Sequence, residues 1–196
     1  ISVWDGDQVA ATAGTWSFEM TTPGGLVPCG GLTWVGVLPS HRRQGILTEM
    51  MRYQLDQVHE RGEAIAALWA SEAIIYQRFG YGMAAEGVEL AIDRTRTALR
   101  TAPPFSGRCR YIQRDEALGA WPGIWDTDRV RYPGMHSRSA GWWENRVLRD
   151  PPWPGPAGFS SLFNVQYEEG GKPLGYARYR IKEHYENGSA ASVLSV

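Results

Sequence analysis

The stretch VGVLPSHRRQGILTEMM, residues 35–51, joins an apolar strand-like run to an apolar helix-like run through a short loop. A strand, a tight loop and a helix in this order present free backbone N–H groups and the positive end of a helix dipole to an anion. Gly45 allows the backbone to approach a ligand closely, and Arg42 and Arg43 add positive charge. The pattern predicts a phosphate site. Taken alone, the same loop also fits a solvated arginine pair at the start of a helix.

The periodicity on both sides of the loop predicts a mixed α/β unit. Val3 and Trp4 face Val9 and its successors across a turn at residues 5–7, which indicates an antiparallel hairpin. After the loop, apolar residues recur at helical spacing as far as a glycine placed to end the helix. The further predicted elements are a strand over 32–37, a helix over 46–61, a strand over 65–70, a helical segment over 73–79 and a strand over 88–93.

A run rich in Pro, Ser and Gly over residues 97–107 indicates a linker between two units. The first predicted unit spans residues 1–96 and the second spans residues 108–196. The predicted elements of the second unit are a strand over 110–113, helical segments near 115–130 and 140–149, a proline-rich loop, and a hairpin over 159–184 that turns at 169–172.

Composition argues against several classes of partner. The 196 residues are 43% apolar, with a formal net charge of −1 and a pI near 6.5, so no global basic field favours nucleic acid or an anionic membrane surface. No apolar run approaches the ~18 residues of a membrane span, and the first residues lack the pattern of a signal peptide. Cys29 and Cys109 show no metal-ligand spacing. We therefore expect reduced, buried thiols, no metal site and a cytoplasmic protein.

The two ends of the sequence predict an incomplete chain. It opens on Ile1 without an initiator Met and closes on SAASVLSV, which has the composition of a strand. We expect both units to be truncated in this sequence.

Two stretches of the sequence resemble one family. VGVLPSHRRQGIL is similar to the acyl-CoA motif of the GCN5-related N-acetyltransferases (GNAT), in which a V-x-V strand precedes an R/Q-x-x-G-x-G/A loop. Leu47 at the last motif position departs from the general pattern and resembles the R-R-x-G-[IL]-L variant of the enhanced-intracellular-survival (Eis-like) subfamily. ALWASEAIIYQRFGYG, residues 67–82, resembles the A-S-E-x-x-I-Y-x-R-F-G-Y-G segment of that subfamily. The resemblance is close over residues 1–94 and looser beyond them.

The resemblance implies an α/β fold with a mixed (α+β) sheet, built from two tandem GNAT-like subdomains. The carboxy-terminal subdomain resembles a degenerate copy without the R-R-x-G loop, so only the amino-terminal one is expected to bind acetyl-CoA. The implied contacts are Val35, Gly36 and Val37 for the pantetheine arm and the thioester, Arg42, Arg43, Gln44, Gly45, Ile46, Leu47 and Thr48 for the pyrophosphate, and Ser71 and Glu72 beside the same ligand. A homo-oligomer, specifically a hexamer, is implied as well.

Tyr76 is the general acid that the resemblance implies, although its apolar neighbours alone would make it a core residue. The reference pKa of a phenol is about 10 and that of a thiol is about 8.5. Proton transfer from the phenol to the thiolate is therefore unfavourable by roughly 1.5 pKa units, or ~2 kcal/mol, so the site must assist. Arg78 is a candidate for this assistance, with a plain surface role as the alternative. We expect Glu72 to be structural rather than a base, and His41 to be a solvent-facing spectator. The implied base is a C-terminal carboxylate, which this sequence ends too early to supply.

The implied reaction transfers an acetyl group from acetyl-CoA to an amine of a small polycationic acceptor, aminoglycoside-like or polyamine-like. Protein lysine is a second choice of acceptor. A different class of function, a non-catalytic acyl-CoA-binding or protein-interaction module on the same fold, stays open. A nucleotide-binding enzyme is disfavoured because no paired carboxylates for Mg²⁺ follow the loop.

Overall fold

The computed structural model describes residues 1–85, 98, 100–101, 106–149, 160–186 and 189–195, with side chains as far as Arg180. Proximity of Cα atoms groups the chain into two compact units, Ile1–Glu86 with Arg129–Ser137, and Gly87–Asp128 with Arg138–Val196. Each unit contains a four-stranded sheet. The strand predicted over 88–93 and the proline-rich loop over 150–158 lie outside the described residues.

The sheet of the first unit has the order β1-β2-β3-β4. Its strands are β1 Ser2–Asp5, β2 Gln8–Thr22, β3 Gly25–Val37 and β4 Ile65–Leu68. The first three strands are antiparallel neighbours, whereas β4 runs parallel to β3. Helix α1, Ile46–Glu60, makes the crossover that a parallel pair requires.

The predicted hairpin and helix are both confirmed. Trp4 pairs with Val9 across a turn in which Gly6 has a φ of +57°. Helix α1 begins at the predicted residue, and the predicted stop, Gly62, follows it in a left-handed conformation with a φ of +70°.

Strand β3 is longer than predicted, because it begins at Gly25 rather than at Leu32. The added residues, GLVPCGG, contain a proline and three glycines, which are depleted in strands. Close packing requires two of these glycines. A Cβ on Gly31 would lie 2.3 Å from Cε2 of Phe18, and one on Gly30 would lie 2.5 Å from Cγ2 of Val58. Tertiary packing on the two glycines therefore outweighs their low strand propensity.

Helix α1 covers one face of the sheet with Met50, Met51, Gln54 and Val58, all of which are buried. The core cluster comprises Ala11, Ala13, Leu32, Met50 and Met51, and the partly buried residues packed against it are Val3, Val35, Val37, Ile46, Leu47, Leu68, Tyr76, Phe79 and Tyr81. Residues of the strand end, the helix start and the segment after β4 therefore share one apolar cluster.

A buried carboxylate, Glu63, lies between α1 and β4. Its side chain is 4% exposed and accepts a hydrogen bond from Nη2 of Arg61 at 2.7 Å. Burial raises the pKa of the Glu63 carboxyl, but hydrogen bonds from Arg61 and Ser17 outweigh burial and hold the pKa below its usual range. The ion pair thus stabilises the charged form of a group that the core would otherwise neutralise.

Residues Arg129–Ser137 belong to the first unit, although they are far from the rest of that unit in the sequence. They run along the free edge of β2, where the Thr21 N–H donates to the Met135 carbonyl and the Gly134 N–H donates to the Thr21 carbonyl, both at 2.8 Å. Buried Arg129 donates to the Glu19 carboxylate at 2.9 Å. This segment satisfies backbone groups that a bare strand edge would expose.

The second unit has an antiparallel sheet with strands β5 Arg108–Tyr111, β6 Phe163–Glu169, β7 Lys172–Glu186 and β8 Ser189–Ser195. Its helices are α2 Arg114–Arg129 and α3 Ala140–Trp142, the latter continued by a π-helical turn over Trp143–Val147. The predicted turn is confirmed at Gly170 and Gly171, both with positive φ. Trp121 is fully buried in the core of this unit and stacks on Tyr176, with 4.5 Å between the ring centroids.

Candidate functional site

The end of strand β3 extends beyond the end of β4 and does not pair with it. The two strands pair from Cys29 with Ile65 to Leu32 with Leu68, where β4 ends, and β3 continues to Val37. Residues 33–37 therefore have β2 on one side and, within the described chain, no strand on the other. An unpaired strand edge offers its N–H and C=O groups to an extended ligand.

A β-bulge distorts β3 at the point where β4 ends. Gly14 pairs with Thr33 and Thr12 pairs with Gly36, so two residues of β3 oppose one residue of β2. Trp34, the first of the two, is left-handed with a φ of +54°, and its carbonyl accepts a hydrogen bond from the Thr12 hydroxyl at 3.0 Å. Gly14 makes room for the indole, because a Cβ there would lie 3.0 Å from Cε3 of Trp34. The bulge increases the local twist and so changes the direction of the end of β3, the part of the strand that does not pair with β4.

The loop between β3 and α1 is held in shape by its own hydrogen bonds. The Leu38 N–H donates to the Ala10 carbonyl at 2.9 Å, and a short 3₁₀ helix follows over Pro39–His41. Arg42 Nε donates to the Val37 carbonyl at 3.3 Å, and Gln44 Nε2 donates to the Ser40 carbonyl at 3.2 Å. The first motif arginine therefore ties the loop back to the strand.

The amino terminus of α1 has the conformation of an anion cradle. Arg43 and Gly45 are both left-handed, with φ of +61° and +85°, and Gly45 is the N-cap of the helix. Left-handed residues in a tight loop turn successive N–H groups toward one concave side. A Cβ built on Gly45 would meet no atom within 4 Å, so the space above this residue is open. Arg43 makes no ion pair or hydrogen bond with any residue that the structure describes, and its charge is available to a ligand.

His41 is not the solvent-facing spectator that the sequence suggests. Its side chain is 14% exposed, and its Nε2 lies 3.1 Å from Oδ2 of Asp5, the last residue of β1. Its Nδ1 lies 2.8 Å from the Ser40 hydroxyl. The imidazole therefore braces the loop against the first hairpin, a contact between residues 36 positions apart that local sequence does not indicate.

Tyr76 lies where two short 3₁₀ helices, Ala73–Ile75 and Gln77–Phe79, meet. It is partly buried against the core cluster, and burial raises the pKa of its hydroxyl above the ordinary value. The hydroxyl is therefore protonated at neutral pH. Arg78 is exposed and stacks over the Phe79 ring at 4.8 Å from its centroid.

Ser71 and Glu72 follow β4 and are both exposed. The Glu72 carbonyl accepts from the Ile75 N–H at 3.3 Å and so begins the first 3₁₀ helix. Next to them, Trp69 is 91% exposed. These residues lie at the end of β4, on the side where β3 continues alone.

The structure thus brings several of the residues singled out in the sequence into one region. Val35, Val37, Ile46, Leu47 and Tyr76 pack against the same core cluster, and the loop that holds the two arginines joins the strand end to the helix. Sequence reasoning missed the bulge at Trp34 and the brace through His41. Gly14 was the available signal for the first, since a lone glycine inside a strand pattern often marks a bulge.

Three further observations concern thiols, metals and membranes. Both cysteines are free, but Cys109 is exposed, so the prediction of two buried thiols is wrong for that residue. Within the described chain, no three His, Cys, Asp or Glu side chains are grouped to hold a metal ion. Among the helices that the structure describes, none is long and apolar enough to cross a membrane.

Comparisons with known proteins agree with this geometry. Residues 1–84 and residues 134–196 each match a family described as acetyltransferase (GNAT) domain. An uncharacterized N-acetyltransferase of Streptomyces avermitilis is 40% identical over 188 residues, which are 95% of this chain and 46% of the relative. The N-acetyltransferase Eis of Mycobacterium tuberculosis is 33% identical over 181 residues, which are 90% of this chain and 43% of the relative.

The crystal structure of Eis1 from Mycobacterium abscessus superposes with a TM-score of 0.70 at 29% identity, over 92% of this chain and 43% of that one. A GCN5-related N-acetyltransferase from Anabaena variabilis shares the fold, with a TM-score of 0.75 at 16% identity over 93% of this chain and 44% of that one. The chain belongs to the GNAT family, in its Eis-like subfamily. The predicted resemblance and fold class are confirmed. The chain spans less than half the length of these relatives.

Proposed function

We propose that the protein is an acetyl-CoA-dependent N-acetyltransferase. The observation that carries the proposal is the free end of β3 next to the left-handed loop and the start of α1. One strand edge and one helix amino terminus, adjacent in the chain, match the two parts of acyl-CoA, which are an amide-rich arm and a pyrophosphate. Membership of the GNAT family supports the same assignment.

In this proposal, Val35, Gly36 and Val37 offer backbone groups to the pantetheine arm and one N–H to the thioester oxygen. The loop from Arg42 to Thr48 receives the pyrophosphate, with Arg43 supplying charge and the first turn of α1 supplying N–H groups without intrahelical acceptors. Ser71 and Glu72 flank the same ligand from the end of β4. The open space above Gly45 fits the close approach of a phosphate.

The reaction needs one acid and one base. The acceptor nitrogen attacks the thioester carbon, the C–N bond forms and the C–S bond breaks, and the departing thiolate takes a proton. Tyr76 is the proposed donor of that proton. Burial raises its pKa, which keeps the donor form populated but makes the transfer to the thiolate more uphill, so the occupied site must stabilise the phenolate. The proton lost by the amine goes to a base that we assign to no described residue.

The proposed acceptor is a small polycationic amine of the aminoglycoside or polyamine class, with protein lysine as a second choice. We further propose a cytoplasmic homo-oligomer, a hexamer by family resemblance. Light scattering on the intact protein tests the proposed assembly, and a strict monomer would refute it.

Calorimetry tests donor binding. Acetyl-CoA should bind, whereas ATP and NAD should not, and Arg43→Ala combined with Gly45→Asp should abolish the acetyl-CoA signal. Unchanged affinity in that double variant would overturn the loop assignment. Turnover with a polyamine or an aminoglycoside then separates an enzyme from a non-catalytic acyl-CoA-binding module on the same fold.

A further inference from the structure

A buried contact connects the interior of α1 to the segment that carries Tyr76. Gln54 is fully buried in the middle of the helix, and its Oε1 accepts a hydrogen bond from the Tyr81 hydroxyl at 3.4 Å. Its Nε2 is buried without a hydrogen-bond partner among the described residues. A buried amide that is half satisfied is costly, and Tyr81 is the group that offsets part of this cost.

Tyr81 contacts Tyr76 in two ways, through the backbone and through the ring. The Tyr81 N–H donates to the Tyr76 carbonyl at 3.3 Å, a return of the chain that the left-handed Gly80, with a φ of +88°, permits. The two rings meet edge to face, with centroids 6.1 Å apart and an interplanar angle of 71°. Among described residues, the Tyr76 hydroxyl has no hydrogen bond, so ring packing and backbone contacts fix the Tyr76 ring.

We propose that Tyr81 is a positioning residue, which holds Tyr76 at a fixed place relative to α1 and hence relative to the loop where that helix begins. This inference rests on the proposed role of Tyr76 as general acid. Burial raises the pKa of Tyr81 to about 12, so its hydroxyl keeps the proton that it donates to Gln54 across the usual assay range. A displacement of a proton donor by about 1 Å can cost about 10²-fold in rate, which is why a residue that never touches substrate can matter.

The test compares three variants of the intact protein. Tyr81→Leu removes the ring edge and should lower kcat by about 10–100-fold while the acetyl-CoA Kd from calorimetry stays within about twofold. Tyr81→Phe keeps the ring beside Tyr76 but removes the hydroxyl that anchors it to Gln54, so its kcat should lie between those of wild type and Tyr81→Leu. Phe79→Leu, from the same core cluster, is the matched control and should leave kcat within about threefold, because no ring contact of Phe79 with Tyr76 is found in the described chain.

A double-mutant cycle with Tyr76→Phe decides between a positioning role and a structural one. If Tyr81 acts through the Tyr76 hydroxyl, Tyr81→Leu should change kcat by less than about twofold in the Tyr76→Phe background. Equal losses in the two backgrounds would overturn the inference and leave the acid role of Tyr76 intact. Full activity of Tyr76→Phe alone would instead overturn the acid role itself. If Tyr81→Leu does not fold, Gln54→Met serves as a second variant, because it keeps the side-chain volume and removes the acceptor of the Tyr81 hydroxyl. It should lower kcat in the wild-type background and not in the Tyr76→Phe background. An equal effect in both backgrounds would refute the positioning role of Tyr81.

Discussion

Replacement of Gly45 by alanine separates ligand binding from backbone strain at the start of α1. Gly45 has a φ of +85°, and an alanine in the left-handed region costs about 1–2 kcal/mol. For a protein of this size, each kcal/mol lowers the Tm by about 2–4 °C, so we expect a loss of about 2–8 °C. The added methyl group also enters the open space that we assign to the pyrophosphate. The loss of one charge-assisted hydrogen bond there is worth about 1.5–3 kcal/mol, or about 10–150-fold in acetyl-CoA affinity.

Gly62, at the other end of the same helix, provides the matched control. It is left-handed with a φ of +70°, and a Cβ built on it meets no atom within 4 Å either. Gly62→Ala should therefore lower the Tm by a similar amount and leave the acetyl-CoA Kd within about twofold of wild type.

The assay is thermal melting and isothermal calorimetry on wild type and both variants, under the same buffer and salt. We expect similar Tm losses and a Kd change in Gly45→Ala alone. If both variants weaken acetyl-CoA equally, or neither does, the assignment of the pyrophosphate to the start of α1 is wrong.

Three further predictions concern other parts of the first unit. Tyr76→Phe should retain its Tm and acetyl-CoA binding while kcat falls about 10²–10⁴-fold; a steady-state rate within a few-fold of wild type would exclude the acid role. His41→Ala removes the brace between the loop and Asp5 and should weaken acetyl-CoA binding with kcat at saturation unchanged, as measured by calorimetry and steady-state rates; a lowered kcat with normal affinity would contradict it. Glu63→Gln should cost about 1–3 kcal/mol at pH 7 in denaturant unfolding. Because the folded-state pKa of Glu63 is lowered, the wild-type advantage is present above the unfolded pKa and disappears as the pH falls through the folded one; an advantage that persisted at still lower pH would refute the ion-pair account.

The elements that can be predicted from sequence are those whose signals are local. Helix α1 is predictable because its apolar spacing, its loop and Gly62 all lie within a few residues of one another. The hairpin of β6 and β7 is predictable because two glycines mark its turn. The motif residues at the strand end and the loop are local as well, and they follow one another in the chain.

The features that sequence did not indicate depend on distant partners. The early start of β3 is set by Phe18 and Val58, which pack on its glycines. The brace through His41 requires Asp5, and the role of Tyr81 requires Gln54 in another element. No pattern in a single window identifies such pairs, because the chain segments meet only after the sheet has formed.

The return of residues Arg129–Ser137 to the edge of β2 has a consequence for biosynthesis. Thr21 bonds the carbonyl of Arg129, 108 positions later, and Glu19 bonds Ser137, 118 positions later. A nascent chain that has emerged only as far as residue 128 exposes the edge of β2 to neighbouring nascent chains. The first unit closes this edge only after a large part of the second unit's sequence has been synthesised, so stalled or shortened chains are the ones that we expect to aggregate.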